Sequence, residues 1–347
     1  LTSSGSDTEP AVRDSEAFVG ATEPFRRELL AHCYRMLGSV DDARDVVQET
    51  YLRAWRSYGS FEGRSSVRTW LHQIATNACL TALAHHSRRV LPSGLRGPEP
   101  DPDAAPVPAE PGVSWLQPVP DLHLDPGVAD PASVVLAHED LRLALVASLQ
   151  YLSGTQRAVL ILREVLCFPA AEVAVMLGTT TTAVKSALQR ARSRLRELAP
   201  AADEITQPTA PEAYRLLDQY IAAFQNADAQ ALERLLCRDA TLEATPFSTW
   251  FAGKKTCVSY LRTWVMGSPG DWLMLPTRAN GQPAAMAYTR DRGGTYQAYG
   301  VVVLTVTGTG ISRICSFHQP GLAAAFGFPP TAVPPDRRPP VKRPPAR

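Results

Sequence analysis

Long apolar runs are missing from this chain of 347 residues. Nothing approaches the roughly 18 consecutive apolar residues that a membrane-spanning helix needs, so no span is expected. Cysteine is sparse too: Cys33, Cys79, Cys167, Cys237, Cys257 and Cys315 lie far apart, with no C-x-x-C pair. That pattern argues against a disulfide framework and for a reducing compartment. An excess of either charge is also lacking. With 35 basic and 34 acidic residues the formal net charge is +1, which excludes a uniformly basic nucleic-acid coat and moves attention to local patches. Residues 1–16 carry Ser, Gly, Asp and Glu where a signal peptide needs a basic end and an apolar core, so a cytoplasmic location is expected. No metal-ligand spacing is present, since His85-His86 adjoins arginines and reads as surface, and no cofactor is implied.

Proline, with 30 residues, is what there is in quantity, and it divides the chain. Between Pro92 and Pro131, Glu99, Asp101, Asp103, Glu110, Asp121, Asp125 and Asp130 stand against a single Arg96. Such a segment cannot bury enough apolar surface to fold alone and reads as a linker over 93–133. A second break falls at Pro200–Pro211. From Pro329 onward, proline pairs alternate with Arg337, Arg338, Lys342, Arg343 and Arg347, which predicts an extended basic tail over 329–347. Residues 1–21 are expected to be a flexible lead-in. Three domains remain, at 22–92, 134–199 and 210–328.

The first reads as all-α. Thr22 and Pro24 suit a helix start and Gly38 its end, with Phe25, Leu29, Leu30, Cys33 and Leu37 at helical spacing. Ser39 with Asp42 resembles a capping box, and that helix turns Ala43, Val46, Val47, Thr50 and Ala54 inward. Ser65 and Ser66 cap a third helix with Val67, Trp70, Leu71, Ile74, Ala75, Ala78 and Ala82 as its core stripe. The second domain predicts helices at 134–149, 154–166, 170–177 and 181–198. The last two are joined by Gly178-Thr179-Thr180, a helix-turn-helix arrangement. The third has helical runs at 212–225 and 229–236. Alternating strand-like segments follow at 241–245, 284–289, 295–307 and 311–318, an α+β pattern.

Two polar helix faces carry the functional argument. On the last helix of the second domain, Val184, Leu188, Ala191 and Leu195 pack inward against Val173 and Leu177. Thr182, Lys185, Ser186, Gln189, Arg190 and Ser193 then face out. A recognition helix enters the major groove in this way, with Lys and Arg on phosphates or guanine and Gln on adenine. The bland alternative is a basic solvated face. In the first domain Gln73, Asn77, Thr81, His85 and Arg88 form one polar stripe, with Arg64, Arg68 and Arg89 nearby. It could hold a separated DNA strand, but taken alone it reads first as ordinary surface polarity. Trp55 and Trp70 read as core residues, Trp70 ambiguously.

The segments Leu30–Ser39, Asp45–Trp55 and Arg68–Cys79 resemble region 2 of the sigma-70 factors, and Phe168–Arg194 resembles region 4. The linker is too short for the domain that separates them in housekeeping factors, so the chain is identified as a member of the extracytoplasmic-function class. The third domain resembles the SnoaL-like, NTF2-type cone fused to some of these factors, as do Trp115-Leu-Gln-Pro and Asn280-Gly-Gln-Pro-Ala. The resemblance implies a multidomain fold: two all-α sigma domains, the second with the helix-turn-helix, then an α+β cone. It implies core RNA polymerase and promoter DNA as partners. Asp45, Gln48, Glu49, Leu52 and Arg53 would dock on the β′ clamp. Arg68, Trp70, Gln73, Asn77, Thr81, His85, Arg88 and Arg89 would engage the −10 element. The outward face of the recognition helix would take the −35 element, and region 4 would also touch the β flap. The linker would run toward the RNA exit path. Pro169 departs from the family, standing where relatives place a Ser or Thr cap.

In the cone, Asp218, Asp239, Glu243 and His318 are available for proton transfer, and Tyr220, Trp250, Trp264 and Tyr288 could line a pocket for a small ligand. Nothing in the sequence aims them at one point, so the chain is read as a non-enzyme with the cone as an in-chain regulator. The alternatives are an isomerase- or cyclase-like enzyme tethered to a DNA-binding module and a simple helix-turn-helix repressor, which leaves the first domain unexplained.

Overall fold

The computed structural model describes residues 16–85, 87–123, 142–198 and 210–332. His86, part of the linker (124–133), the start of the 134–149 helix, the 199–209 break and residues 333–347 of the tail lie outside the described residues. The chain divides into two compact units. One holds the residues up to Arg89 with those from Asp121 to Ala201, the other Val90–Pro120 with everything from Ala202.

The first unit is helical. Helices α1 (Arg26–Leu37), α2 (Val40–Ser57) and α3 (Val67–His85) build its first module. Gly38 ends α1 in the left-handed region at φ 69°, its N–H donating to the Tyr34 carbonyl. Ser39 Oγ caps α2 by accepting the Asp42 N–H at 3.1 Å. Thr22 is not a cap. Residues 16–22 are already helical, and the Thr22 hydroxyl donates back to the Phe18 carbonyl at 2.8 Å. The lead-in predicted over 1–21 is therefore ordered from Glu16. The cause is Phe18, 6% exposed, whose ring meets Tyr51, Trp55 and Tyr58 edge-on at 6.3, 5.2 and 5.1 Å.

The second module comprises α4 (Leu143–Leu149), α5 (Gly154–Leu160, running into a π-helical turn at Ile161–Val165), α6 (Ala170–Met176) and α7 (Thr181–Leu198). A full capping box of Ser153 and Gln156 starts α5. Pro169 occupies the cap position of α6 without a side-chain bond, and the helix forms all the same. Gly178 at φ 58° makes the turn into α7.

The second unit is α+β. Helices α8 (Ala210–Gln225), α9 (Ala229–Leu235) and α10 (Lys254–Tyr260) pack on a sheet of β1 (Leu236–Thr245), β2 (Trp250–Ala252), β3 (Trp272–Ala279), β4 (Gln282–Arg290), β5 (Tyr296–Thr307) and β6 (Gly310–Phe317). The strand order is β2-β1-β6-β5-β4-β3, with β1 and β6 parallel and the other neighbours antiparallel. One face buries Leu242, Met274, Ala285, Ala287, Val302, Leu304 and Ile314 against the helices. Short α11 (Leu322–Ala325) and β7 (Thr331–Ala332) complete the unit. Because Ala332 is buried and β7 pairs with Tyr296 and Gln297 of β5, the tail predicted from residue 329 does not begin before 333.

The described part of the proline-rich linker does not hang free. Val90 pairs with Trp115 through Val90 N–H to Ser114 O and Leu116 N–H to Val90 O, each 3.0 Å, closing 91–114 into a loop. That loop straps across the second unit. Ser93 N–H donates to Glu243 Oε2 at 2.9 Å, Glu99 N–H to Trp250 O at 2.8 Å, and Val107 N–H to Thr249 Oγ1 at 2.9 Å. Ala109 N–H donates to Pro246 O at 3.0 Å. Leu116 and Val119 are fully buried. Composition was a fair guide to what this segment lacks by itself. It gave no sign of the preformed sheet that supplies partners for the few N–H groups the prolines leave.

Candidate nucleic-acid interface

Helix α7 is amphipathic in the sense required. Val184, Ala187 and Ala191 are buried together with Val173 and Met176 of α6. Leu177, Leu188 and Leu195 are half-buried. Thr180 Oγ1 accepts the Ala183 N–H at 3.2 Å at its start. Thr182, Lys185, Gln189, Arg190 and Ser193 are exposed on one face, and Ser186 is half-buried beside them. Neighbouring cations are committed elsewhere: Arg192 to Glu164 at 2.8 Å and Arg194 to Glu197 at 2.9 Å. The outward face therefore offers hydroxyls, one amide and two cations along three turns of helix, the mix that reads base edges and holds phosphates.

On α3 the structure separates the predicted stripe into two groups. Asn77, Thr81 and His85 are exposed in line, Gln73 is half-buried above them, and Thr81 Oγ1 back-bonds to the Asn77 carbonyl at 3.0 Å. Trp70 is half-buried, its ring 4.7 Å from that of Phe61. The three arginines are engaged. Arg68 Nε donates to Glu28 Oε1 at 2.7 Å and Nη2 to the Leu166 carbonyl at 3.2 Å, with its guanidinium 4.3 Å over the Phe168 ring. Arg88 lies 4.3 Å over the ring of Tyr151, and Arg89 pairs with Asp42. Beneath this surface sit two buried imidazoles. His32 Nε2 shares a hydrogen bond with Thr76 Oγ1 at 2.9 Å, and His72 Nδ1 with the Arg68 carbonyl. Burial holds both below the ordinary histidine range.

Helix α2 presents Asp45, Gln48, Leu52 and Arg53 to solvent, while Glu49 is half-buried and bonded to Arg53 at 2.6 Å. Beside them Trp55, expected in the core, is 43% exposed. With Phe18, Val19, Leu30, Tyr51 and Leu52 it lines an open groove of about 590 Å³. The sequence reading missed this aromatic contribution of Phe18. An isolated Phe-Val pair in a polar lead-in was the only available signal.

In the second unit the four candidate proton carriers do not converge. Asp218 and Asp239 are exposed. Glu243, 1% exposed, faces the strap and Arg313, whereas His318 Nδ1 meets Tyr299 Oη at 3.0 Å on the side of the helix-packed core. Of the four aromatics, Tyr220 and Tyr288 are buried, Trp250 Nε1 donates to the strap carbonyl of Arg96, and Trp264 is exposed. Among the described residues no cluster of three or more His, Cys, Asp or Glu is arranged to hold a metal, and no helix is long and apolar enough to cross a membrane. All six cysteines are free.

Comparison with known proteins supplies the family. Residues 22–89 match the family model for sigma-70 region 2, and residues 142–195 that for sigma-70 region 4. The ECF RNA polymerase sigma factor SigG of Mycobacterium tuberculosis is 48% identical over 326 residues, which cover 93% of this chain and 87% of that protein. The chain belongs to the extracytoplasmic-function sigma factors. SigJ of the same organism is 30% identical over 225 residues, covering 64% of this chain and 63% of SigJ. The crystal structure of SigJ matches with a TM-score of 0.57 at 22% identity, over 90% of this chain and 99% of that one. That likeness carries the fold through the C-terminal half, an α+β domain that follows the two helical modules. The modules in its first unit are regions 2 and 4, and RNA polymerase and promoter DNA are the partners of its family. Initiation by a sigma factor is not itself an enzymatic turnover.

Proposed function

We propose that region 2 of this sigma factor reads the −10 element through Trp70, Gln73, Asn77, Thr81 and His85. Arg68, Arg88 and Arg89 then supply charge to the separated strand. Region 4 reads the −35 duplex through Thr182, Lys185, Ser186, Gln189, Arg190 and Ser193. Asp45, Gln48, Glu49, Leu52 and Arg53 dock on the polymerase β′ clamp, and region 4 also meets the β flap. What carries this reading is the presence, on two modules of one chain, of exposed hydrogen-bonding rows on helix faces whose opposite sides are buried. Run-off transcription with core RNA polymerase over a promoter library tests it. Transcripts dependent on both elements support it. Intact binding to core without initiation from any promoter overturns it.

The C-terminal domain acts as a regulator within the chain and not as an enzyme. The strap supports this, because the domain holds the segment that connects regions 2 and 4. The scatter of Asp218, Asp239, Glu243 and His318 supports the absence of catalysis. Truncation after Pro200 changes transcriptional output under this reading, and equal output from both chains ends it. A small ligand in this domain would act by changing its hold on the strap.

A further inference from the structure

The helix-packed face of the sheet in the second unit carries a polar pair that the promoter-binding modules do not use. Tyr299 Oη and His318 Nδ1 share a hydrogen bond at 3.0 Å, with their rings 4.4 Å apart. Tyr299 reaches that face through a break in the ladder. Ala287 pairs with Gly300 and Tyr288 with Ala298, so Tyr299 is the extra residue of a bulge in β5. Regular alternation from Val302 and Leu304, which pack on the helices, would send Tyr299 to the opposite face, and the bulge turns it inward. Gly300 makes the bulge possible, because a Cβ there would collide with the Phe317 carbonyl, next to His318. Aromatic rings flank the pair. Phe247 stands 5.7 Å from the imidazole and Trp272 5.0 Å from the Tyr299 ring, edge-on in each case. Phe247, Tyr299 and His318 are half-buried, whereas Val302, Leu304 and Ile314 further along the same face are closed off. The core is therefore open at this end, and the polar pair sits in the opening.

Neither group is charged at neutral pH. Burial lowers His318 to about 4 and raises Tyr299 to about 12, with no charged side chain contributing to either shift. Together they hold one O–H and one N–H, one of which is used in the shared bond. Among the described residues neither side chain makes another hydrogen bond, so in either tautomer one donor and one acceptor remain. We propose that this opening binds an uncharged aromatic small molecule bearing a hydroxyl or ring carbonyl. Its ring lies among Phe247, Trp272 and Tyr299, and its oxygen meets the Tyr299–His318 pair. Apolar walls with a few placed polar groups are the usual make-up of a small-ligand site. The lack of a counter-charge selects against acids and amines, since nothing offsets their desolvation. Occupancy also reaches the strap. Phe247 stands in the turn whose Pro246 carbonyl and Ser248 N–H bond Ala109 and Val107 of the strap at 3.0 and 2.9 Å. Gln319, beside His318, accepts from Gln117 Nε2 at 3.3 Å. The regulatory consequence rests on the reading of this domain as an in-chain regulator, whereas the binding site does not.

The test uses the full chain with naphthol as probe, against naphthalene, which lacks the hydroxyl, and naphthalene sulfonate, which is charged. Equilibrium dialysis reads affinity, and the imidazole resonances of His318 read contact. We expect naphthol to bind one to one and to move the His318 signals, naphthalene to bind more weakly, and the sulfonate not to bind. Tyr299→Phe, which keeps the ring, should weaken naphthol about five- to tenfold, as loss of one hydrogen bond does, and leave naphthalene unchanged. A fall in melting temperature identifies a misfolded variant, in which case the His318 signals of the parent decide alone. No binding of naphthol, equal binding of the sulfonate, still His318 signals, or indifference of naphthol to Tyr299→Phe overturns the site. Binding of naphthol with no change in run-off transcription overturns the regulatory reading instead, so the two failures are distinguishable.

Discussion

Replacement of Asn280 separates two roles that this one residue performs. Asn280 and Gly281 form the two-residue turn between β3 and β4, at φ 57° and 68°, with Ala279 paired to Gln282 across it. A turn with both residues at positive φ favours Asn-Gly. Asn280 is also fully buried, and its Oδ1 accepts the N–H of Val119 at 3.0 Å while its own N–H donates to the Val119 carbonyl. Asn280→Gly keeps the turn and leaves the Val119 N–H buried without its acceptor, a cost of about 1–3 kcal/mol. Asn280→Ala loses the same acceptor and, without the local hydrogen bonding that lets Asn tolerate the left-handed region, stands about 1–2 kcal/mol above the glycine variant for its Cβ. Native-state hydrogen exchange on the full chain reads the strap directly. The Val119 and Leu116 amides should exchange about 5- to 150-fold faster in the glycine variant, at ~1.4 kcal/mol per tenfold, and faster still in the alanine variant. Amides of the recognition helix, such as Ala191, should not move. Unchanged exchange at Val119 in Asn280→Gly, or a glycine variant more labile than alanine, would refute the reasoning.

Other expectations follow from single sites. Gln189→Ala should relax sequence preference at one position of the −35 element, whereas Arg190→Ala should weaken binding to all duplexes and lower its salt dependence. Equal losses on every sequence for both variants would remove that division of labour. Leu52→Asp, which places a charge beside Trp55 in the groove lined by Phe18, should reduce affinity for core RNA polymerase by at least about tenfold without altering helicity. Unaltered affinity would move the docking surface elsewhere. His318 is buried, which lowers it from 6.5 to about 4. The unfolded chain binds that proton first as pH falls, so this contribution is fully present above 6.5 and is lost between 6.5 and 4. The loss is at most about 3 kcal/mol. Calorimetry of parent and His318→Gln should show a shallower fall in melting temperature across that window for the variant, and parallel curves would discount the histidine.

Local signals in the sequence translated well where one residue type settles one geometry. Gly38, Ser39, Gly178 and the helix of Thr181–Leu198 all stand where spacing put them. Thr22 did not, because its role depends on Phe18 finding an aromatic nest made by residues more than thirty positions away. The recognition face on α7 was legible since a single amphipathic helix defines it. The polar stripe on α3 proposed for the −10 element was only half legible. Helical spacing placed Asn77, Thr81 and His85 in a row, yet no periodicity reveals that Arg68 and Arg88 meet Phe168 and Tyr151 from the other module. Arg157 was invisible for the same reason, as a buried cation among carbonyls declares itself only in three dimensions. In the second unit, β3 with its internal Pro276 and the short β2 escaped notice, since edge strands tolerate what the pattern penalises.

Under the proposed assignment of the two modules, the strap would bear on promoter spacing through chain length. Between Arg89 and the described start of region 4 at Arg142, residues 90–141 have a fully extended reach of about 180 Å. Pairing of Val90 with Trp115 takes residues 91–114 out of that path. The remaining 116–141 reach about 90 Å at full extension, the length of roughly 26 base pairs at ~3.4 Å each. A chain held near its limit loses conformational freedom, so under the proposed reading a docked strap would penalise wide spacing. Release of the strap doubles the tether and removes the penalty. Loosening Leu116 or Asn280 should therefore raise transcription most on promoters with the longest spacers and least on the shortest. A gain independent of spacer length would mean that the C-terminal domain regulates through something other than the length of chain it withholds.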